Sequence, residues 1–152
     1  MIVIAGPCQL ESSEHAIKIA KHCKSLCDKY GFQYYFKASF DKANRTSMHG
    51  IRGPGIFQGL QMLSDVKTEV DCNVLTDVHE VWQLKEVAPI VDVIQIPAFL
   101  CRQTDLIVRA IEIAGIMNKK VNIKKGQFLA PWDVKGILSK TGTDNVWITD
   151  RG

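Results

Sequence analysis

The stretch that decides the fold reads QYYFKASFDKANRTS over residues 33–47. Its first four residues are rich in aromatic side chains and follow Gly31, which predicts a buried β-strand. The rest is polar and cationic, and the glycines and proline of residues 50–55 predict a long loop. Arginine offers a planar fork to phosphate oxygens, and lysine offers a compact charge. The stretch therefore favours binding of a phosphorylated small molecule, and a solvated surface loop is the alternative interpretation.

The same alternation continues on both sides of this stretch. Short apolar runs predict six strands at residues 2–5, 33–36, 74–76, 91–96, 120–124 and 146–149. The first of them is expected to stop at Gly6-Pro7, so that Cys8 lies just past its end. One helical pattern begins at about Ser12 or Ser13, either of which could cap the helix. Another begins near Pro54, and further ones lie between the later strands.

Strands that alternate with helices predict an α/β fold with a parallel sheet in one domain over residues 1–152. A doubly wound sheet and a (β/α)8 barrel both fit this pattern. A glycine-rich G-x-G-x-x-G fingerprint does not follow the first strand, which weakens a dinucleotide-binding interpretation.

The amino-acid composition excludes several classes of protein. The 152 residues are 46% hydrophobic and 23% charged, with a formal net charge of +3, as in an ordinary globular protein that does not bind nucleic acid. No apolar run approaches the roughly 20 residues of a membrane span, and residues 1–7 are too short for a signal peptide. The five cysteines are scattered and odd in number, so we expect a cytoplasmic protein without a disulfide framework.

Polar side chains gather at the ends of the predicted strands. In parallel α/β folds the carboxyl ends of the strands hold the active site, so these residues are the candidates for function. Eight of the 19 lysines and arginines lie there or in the following loops, and together they would attract an anion. The candidates are Cys8, Lys37, Lys42, Arg45, Arg52, Asp77, His79, Gln95, Arg102, Lys124, Lys125 and Arg151.

Three of these candidates have more than one possible role. Cys8 could be a metal ligand, a nucleophile or a small buried residue, and the residue type favours the last. Asp77 and His79 could act as an acid, a base or metal-site partners, or they could be ordinary loop residues.

Seven motifs in order then carry a resemblance that covers the whole chain. They are AGPC (5–8) with ES (11–12), FKASFDKANRTS (36–47), RGPG (52–55), TDVHE (76–80), QIPAFLCRQTD (95–105), VNIKKGQF (121–128) and DRG (150–152). Together they resemble the 3-deoxy-D-manno-octulosonate 8-phosphate (Kdo-8-phosphate) synthases. The related 3-deoxy-arabino-heptulosonate 7-phosphate synthases carry Lys-Pro-Arg where this chain has KANR at residues 42–45.

The resemblance implies a (β/α)8 (TIM) barrel, of which this chain supplies about six βα units, in a cytoplasmic homotetramer. It implies a transferase that condenses phosphoenolpyruvate with D-arabinose 5-phosphate and releases phosphate, in the biosynthesis of the Kdo sugar of lipopolysaccharide.

The resemblance also assigns roles to residues. Those matched to phosphoenolpyruvate binding are Lys37, Ser39, Lys42, Gln95, Lys124 and Arg151, with the backbone N–H of Ala98. Asn44, Arg45 and Thr46 match positions that hold the sugar phosphate, and Arg102 matches one that reaches the sugar phosphate of a neighbouring subunit. Asp77, His79 and Lys42 are the implied catalytic residues.

Cys8 matches the ligand that marks the metal-dependent branch, which implies a divalent ion (Zn, Fe or Mn). The other ligands of that branch lie on or after two further strands, so Cys8 alone is not expected to complete a site. For the same reason we expect no turnover from these 152 residues alone. A non-catalytic or degraded phosphate-binding domain and a heptulosonate 7-phosphate synthase are the alternatives.

Overall fold

The computed structural model describes residues 1–142 and 145–151, so Gly152 of the DRG motif lies outside the described residues. The chain divides into two compact units, Met1–Thr76 and Asp77–Gly152. No helix in the described part of the chain has the length and apolar character needed to cross a membrane.

The first unit is built from three parallel strands and two helices. In chain order they are β1 (Ile2–Gln9), α1 (Ser13–Lys29), β2 (Gln33–Ser39), α2 (Ile56–Val70) and β3 (Asn73–Asp77), whose last residue begins the second unit. Strand β2 pairs in parallel with β1, where Ile2 lies opposite Gln33, and with β3, where Tyr35 lies opposite Asn73.

The second unit repeats the arrangement. Its elements are α3 (Gln83–Val87), β4 (Val93–Ile96), α4 (Thr104–Ile116), β5 (Lys120–Lys124), α5 (Val134–Leu138) and β6 (Val146–Thr149). Single 3-10 turns at Ala98–Leu100 and Pro131–Asp133 precede α4 and α5. Strand β5 pairs in parallel with both β4 and β6.

Strand order distinguishes the two fold classes that the sequence left open. Within each unit, consecutive strands are direct neighbours in the sheet. A barrel adds its strands in chain order, whereas a doubly wound sheet reverses direction at a switch point. The described strands and their alternating helices are therefore those of the (β/α)8 barrel class, and this prediction is confirmed.

Local chemistry explains where the helices begin and end. Helix α1 starts after Ser12, whose hydroxyl accepts a hydrogen bond from the backbone N–H of His15 at 3.2 Å. It ends before Gly31, whose φ of 68° lies in the left-handed region that glycine tolerates. The N–H of Phe32 then returns to the carbonyl of Cys27 at 2.8 Å, so the last turn keeps a partner.

The predicted end of β1 is wrong. The strand continues through Gly6-Pro7 to Gln9, with a shift of register against β2 between Ala5 and Cys8. A Cβ atom on Gly6 would lie 2.1 Å from the carbonyl oxygen of Lys37, so only glycine allows this close approach. The Gly-Pro pair therefore marks an irregularity inside a strand rather than its end.

The predicted boundary of β2 is also wrong. Lys37 and Ser39 were expected in the loop, but the strand runs to Ser39 because Gln9 of β1 still pairs opposite it. In contrast, β5 and β6 have the bounds that their apolar runs predict.

Candidate active site

Two lysines of the first unit share one buried hydroxyl. The Ser39 side chain, which is fully buried, accepts hydrogen bonds from the Nζ atoms of Lys37 at 3.0 Å and Lys42 at 2.9 Å. Lys42 Nζ lies 3.1 Å from the Sγ atom of Cys8, and Lys37 Nζ lies 3.4 Å from the Cys8 carbonyl oxygen. We call Cys8, Lys37, Ser39 and Lys42 the lysine cluster. Two ammonium groups on one oxygen concentrate positive charge, and a phosphate or carboxylate would relieve their repulsion.

The strands place this cluster. Lys37 and Ser39 are two residues apart on β2, so their side chains leave the same face of the strand. Cys8 pairs opposite Ala38 and has a φ of 68°, which is rare for a residue with a side chain. The Thr76 hydroxyl donates to the Ala38 carbonyl at 2.7 Å and ties β2 to β3.

The loop after β2 is held by its own arginines. Arg45 donates from Nη2 to Gln9 Oε1 at 3.0 Å and from Nε to the Ile51 carbonyl at 3.2 Å. The N–H of Lys42 donates to the Arg52 carbonyl at 2.7 Å. A cavity of about 570 Å³ lies here, lined by Pro7, Cys8, Gln9, Glu11, Lys42, Arg45 and Ile51. Asn44 and Thr46 are exposed residues of the same loop.

Arg52 has a different role from the one that its position indicated. Its guanidinium forms an ion pair with Asp41, with 2.8 Å between Nε and Oδ1. The hydrogen bonds to Asp41, and the attraction of its charge, raise the pKa of Arg52. The prediction that Arg52 belongs to the anion-binding group is therefore corrected, because an acidic side chain already neutralises it.

Asp77 and His79 of the second unit form a side-chain pair. His79 Nε2 lies 3.1 Å from Asp77 Oδ2, and the two side chains are only 14% and 10% exposed. The backbone N–H of His79 donates to Gln83 Oε1 at 2.7 Å and fixes the start of the following turn. A carboxylate beside an imidazole orients the ring, which suits proton transfer.

Two buried amides and a hydroxyl form a series of hydrogen bonds across three strands of the second unit. Asn122 Nδ2 donates to Gln95 Oε1 at 3.2 Å, and the Thr149 hydroxyl donates to Asn122 Oδ1 at 2.9 Å. Gln95 and Asn122 are 3% and 2% exposed. The sequence reasoning missed Asn122 and Thr149, although a polar residue in the middle of the apolar run of β5 was a signal for Asn122.

Ala98 opens the 3-10 turn that follows β4, and it is 4% exposed. Lys124 ends β5 and is partly buried. Arg151 is exposed, and its Nη1 donates to Gln127 Oε1 at 3.2 Å. Arg102, also exposed, borders a cavity of about 460 Å³ together with Lys140. Gln127 is a further contact that the sequence reasoning missed.

Lys125 is also corrected as an anion-binding candidate. It is 2% exposed, and its Nζ donates to the carbonyl oxygens of Gly126 at 3.3 Å and Leu129 at 3.0 Å. A carboxylate oxygen of Asp150 lies 3.8 Å from the same nitrogen. The ammonium therefore holds the loop after β5.

The described residues do not by themselves form a complete metal site. The thiol of Cys8 faces the ammonium group of Lys42 at 3.1 Å, which is a poor neighbour for a divalent cation. Residues 1–142 and 145–151 contain no group of three or more His, Cys, Asp or Glu side chains arranged to bind one. The expected divalent ion at Cys8 stays a prediction, and no chemical step is derived through it.

The sequence of this chain is similar to that of a known protein family. Residues 1–152 match the model of the DAHP synthetase I family. Relatives named 2-dehydro-3-deoxyphosphooctonate aldolase occur in Fusobacterium nucleatum, with 52% identity over 99% of this chain, and in Brucella canis, with 51% identity over 100%. The relative of the same name in Rickettsia canadensis is 51% identical over 99% of this chain. These alignments cover 54%, 54% and 55% of the relatives, so the chain spans about half of their length.

Proposed function

This chain belongs to the DAHP synthetase I family, and from its similarity to the relatives named 2-dehydro-3-deoxyphosphooctonate aldolase we propose that its function is the condensation of phosphoenolpyruvate with D-arabinose 5-phosphate. The products are 3-deoxy-D-manno-octulosonate 8-phosphate and inorganic phosphate. The name of the relatives, 2-dehydro-3-deoxyphosphooctonate aldolase, refers to the same enzyme. The observation that carries the proposal is the Ser39 hydroxyl, which holds the ammonium groups of Lys37 and Lys42 together.

The reaction needs two anions to be held with their carbon atoms in contact. C3 of phosphoenolpyruvate forms a bond to the aldehyde carbon of the sugar, water supplies the hydroxyl at C2, and loss of phosphate leaves a ketone there. Neither substrate requires a covalent bond to the protein, so positioning is the main contribution of the side chains.

The lysine cluster supports binding of phosphoenolpyruvate, whose phosphate and carboxylate both need cations. Arg45 and Lys42 line the cavity of about 570 Å³, and with Asn44 and Thr46 we assign them to the phosphate of the sugar. In this assignment Lys42 serves both substrates, which agrees with its place between Ser39 and the cavity.

The second unit is assigned the remaining roles. Gln95, Lys124, Arg151 and the N–H of Ala98 are assigned to phosphoenolpyruvate, and Arg102 to the sugar phosphate of a neighbouring subunit. Asp77 and His79 are assigned to proton transfer, because their contact at 3.1 Å holds the imidazole beside a carboxylate.

Three expectations about the pathway, the location and the assembly of the protein are part of the proposal. A place in the Kdo pathway of lipopolysaccharide follows from the name of the relatives. A cytoplasmic location is the second of these expectations. Assembly as a homotetramer is checked by light scattering after size-exclusion chromatography.

Calorimetry with phosphoenolpyruvate, followed by an assay of phosphate release, tests the proposal. We expect the wild-type chain to bind phosphoenolpyruvate and Ser39→Ala to bind it more weakly by about fivefold, because the two ammonium groups lose their common acceptor. Lys18→Met, which removes an exposed lysine of α1, is the matched control. Lack of binding by the wild-type chain would contradict the proposal.

The assay also separates the alternatives. Phosphate release with erythrose 4-phosphate in place of arabinose 5-phosphate would identify a heptulosonate 7-phosphate synthase, which the family description alone favours. Binding of phosphoenolpyruvate without release of phosphate is expected of these 152 residues alone. The same result from a chain completed to the length of the relatives, with or without added Zn, Fe or Mn, would identify a non-catalytic binding domain.

A further inference from the structure

We infer that Asn122 and Thr149 are positioning residues that fix which end of the Gln95 side-chain amide meets phosphoenolpyruvate. This inference rests on the proposed function, which assigns Gln95 to that substrate. It deepens the proposal because neither Asn122 nor Thr149 is assigned to the substrate itself.

An amide side chain has two unlike ends, and only one of them suits an anion. The oxygen accepts hydrogen bonds, whereas the nitrogen donates two. An anionic ligand needs the nitrogen, and an amide rotated by 180° would present the oxygen and repel it. A free glutamine has little preference between the two orientations, so neighbouring residues must select one.

Asn122 selects the orientation of Gln95. The two residues are paired opposite each other in β4 and β5, and Asn122 Nδ2 donates to Gln95 Oε1 at 3.2 Å. The bond occupies the oxygen of Gln95 and leaves Nε2 to donate elsewhere. Both side chains are almost fully buried, where an unmatched amide would lose a hydrogen bond without gaining one from water.

Thr149 in turn selects the orientation of Asn122. Its hydroxyl donates to Asn122 Oδ1 at 2.9 Å, so the oxygen of Asn122 faces β6 and the nitrogen faces β4. Thr149 is the register partner of Lys124, which lies two residues after Asn122 and therefore on the same face of β5. The hydrogen bonds thus run in one direction, from the Thr149 hydroxyl on β6 through Asn122 on β5 to Gln95 on β4, and Asn122 lies on the face of β5 that carries Lys124.

Thr149→Val tests this inference with little change of shape. Valine has nearly the same volume but cannot donate, so Asn122 becomes free to rotate and to accept from Gln95, which turns the oxygen of Gln95 toward the ligand. We expect the dissociation constant for phosphoenolpyruvate to rise by about three- to tenfold. Thr149→Ser, which keeps the hydroxyl, is expected to stay within about twofold of wild type. Equal affinity of Thr149→Val and wild type would overturn the inference.

A double-mutant cycle separates positioning from a general structural effect. In a Gln95→Leu background the amide is gone, so Thr149→Val is expected to cause no further loss of affinity. The same loss in both backgrounds would show that Thr149 acts by another route, and the inference would be wrong.

A second readout keeps this test independent of the proposed function. If the wild-type chain does not bind phosphoenolpyruvate, the proposed function fails. The hydrogen bonds from Thr149 through Asn122 to Gln95 are then tested by NMR of the Gln95 side-chain NH₂ group in the unliganded chain. The NMR signal of this group is expected to shift in Thr149→Val and to stay in place in Thr149→Ser. An unchanged signal in both variants would contradict the inference that Thr149 orients Gln95 through Asn122.

Discussion

The Nζ atom of Lys42 lies 3.1 Å from the Sγ atom of Cys8, although 33 residues separate them along the chain. Lys42 also donates to Ser39 and lines the cavity beside Arg45, so one ammonium group joins the lysine cluster to that cavity. Removal of this charge should therefore affect binding of both proposed substrates.

We expect Lys42→Met to raise the dissociation constant for phosphoenolpyruvate by about 10- to 100-fold, which is the usual range for a lost hydrogen bond to a charged group. Calorimetry at constant ionic strength measures this change. Lys18→Met, on the exposed face of α1, controls for the loss of one positive charge. If the two variants lose affinity equally, Lys42 acts only through net charge and its assigned role is wrong.

Thiol labelling should show that the Cys8 side chain is exposed and lies near the proposed phosphoenolpyruvate site. Cys8 is exposed, whereas Cys27 and Cys101 are buried, and burial raises the pKa of Cys27 further from neutrality. We expect iodoacetamide to modify Cys8 before the two buried thiols, as followed by peptide mass spectrometry. Phosphoenolpyruvate should slow the reaction of Cys8, and pyruvate, which lacks the phosphate, should slow it less. Labelling of Cys27 or Cys101 at the rate of Cys8 would contradict the structure.

Gly6 should tolerate no side chain. Because a Cβ atom there would lie 2.1 Å from the carbonyl oxygen of Lys37, we expect Gly6→Ala to lower the free energy of unfolding by about 3 kcal/mol. Gly115→Ala is the matched control: it lies in α4 with no atom within 4 Å of the added carbon. That variant should be unchanged or more stable by up to about 1 kcal/mol. Urea unfolding measures both, and equal stability of the two variants would refute the close contact of β1 and β2.

Tyr34 should make stability depend on pH in the alkaline range. Burial raises the pKa of its phenol, and the interaction with Cys23 raises it further. The unfolded phenol loses its proton near pH 10 while the folded one keeps it, so the contribution of Tyr34 to the free energy of unfolding should be constant below about pH 10 and should fall above it.

Tyr34→Phe should weaken this fall. It should also lower stability at pH 7 by about 1 kcal/mol, because the hydroxyl donates to the Ala5 carbonyl at 3.1 Å. Tyr30→Phe, at a side chain that is 62% exposed, should change neither quantity. Thermal unfolding between pH 7 and pH 11 measures both effects, and a wild-type curve that matches Tyr34→Phe would contradict the assignment.

Apolar runs with clear flanking residues were enough to predict several elements. Strands β5 and β6 have their predicted bounds, because each run contrasts sharply with its polar neighbours. The start of α1 followed from Ser12, since its cap depends on local geometry. The end of β1 was predicted wrongly because the effect of Gly6-Pro7 on the strand depends on how closely β2 approaches Gly6.

The sequence predicted which residues belong to the candidate site. It did not predict which of their side chains contact each other. Lys37, Lys42, Arg52 and Lys125 are all cations near the ends of strands, and the sequence gives no reason to separate them. The structure separates them by their partners: Ser39 holds the first two, Asp41 neutralises Arg52, and carbonyl oxygens hold Lys125.

The sequence by itself determined the alternation of strands and helices, the family, and the strand ends at which polar chemistry gathers. These depend on hydrophobic periodicity, breakers and local motifs, which act over a few residues. Only the tertiary structure decided that Lys42 meets Cys8, that Arg52 pairs with Asp41, and that Thr149 is linked through Asn122 to Gln95 by hydrogen bonds. Such contacts join residues that are distant in sequence, and a hydrogen bond or an ion pair is fixed by distances of about 3 Å that exist only after the strands have paired.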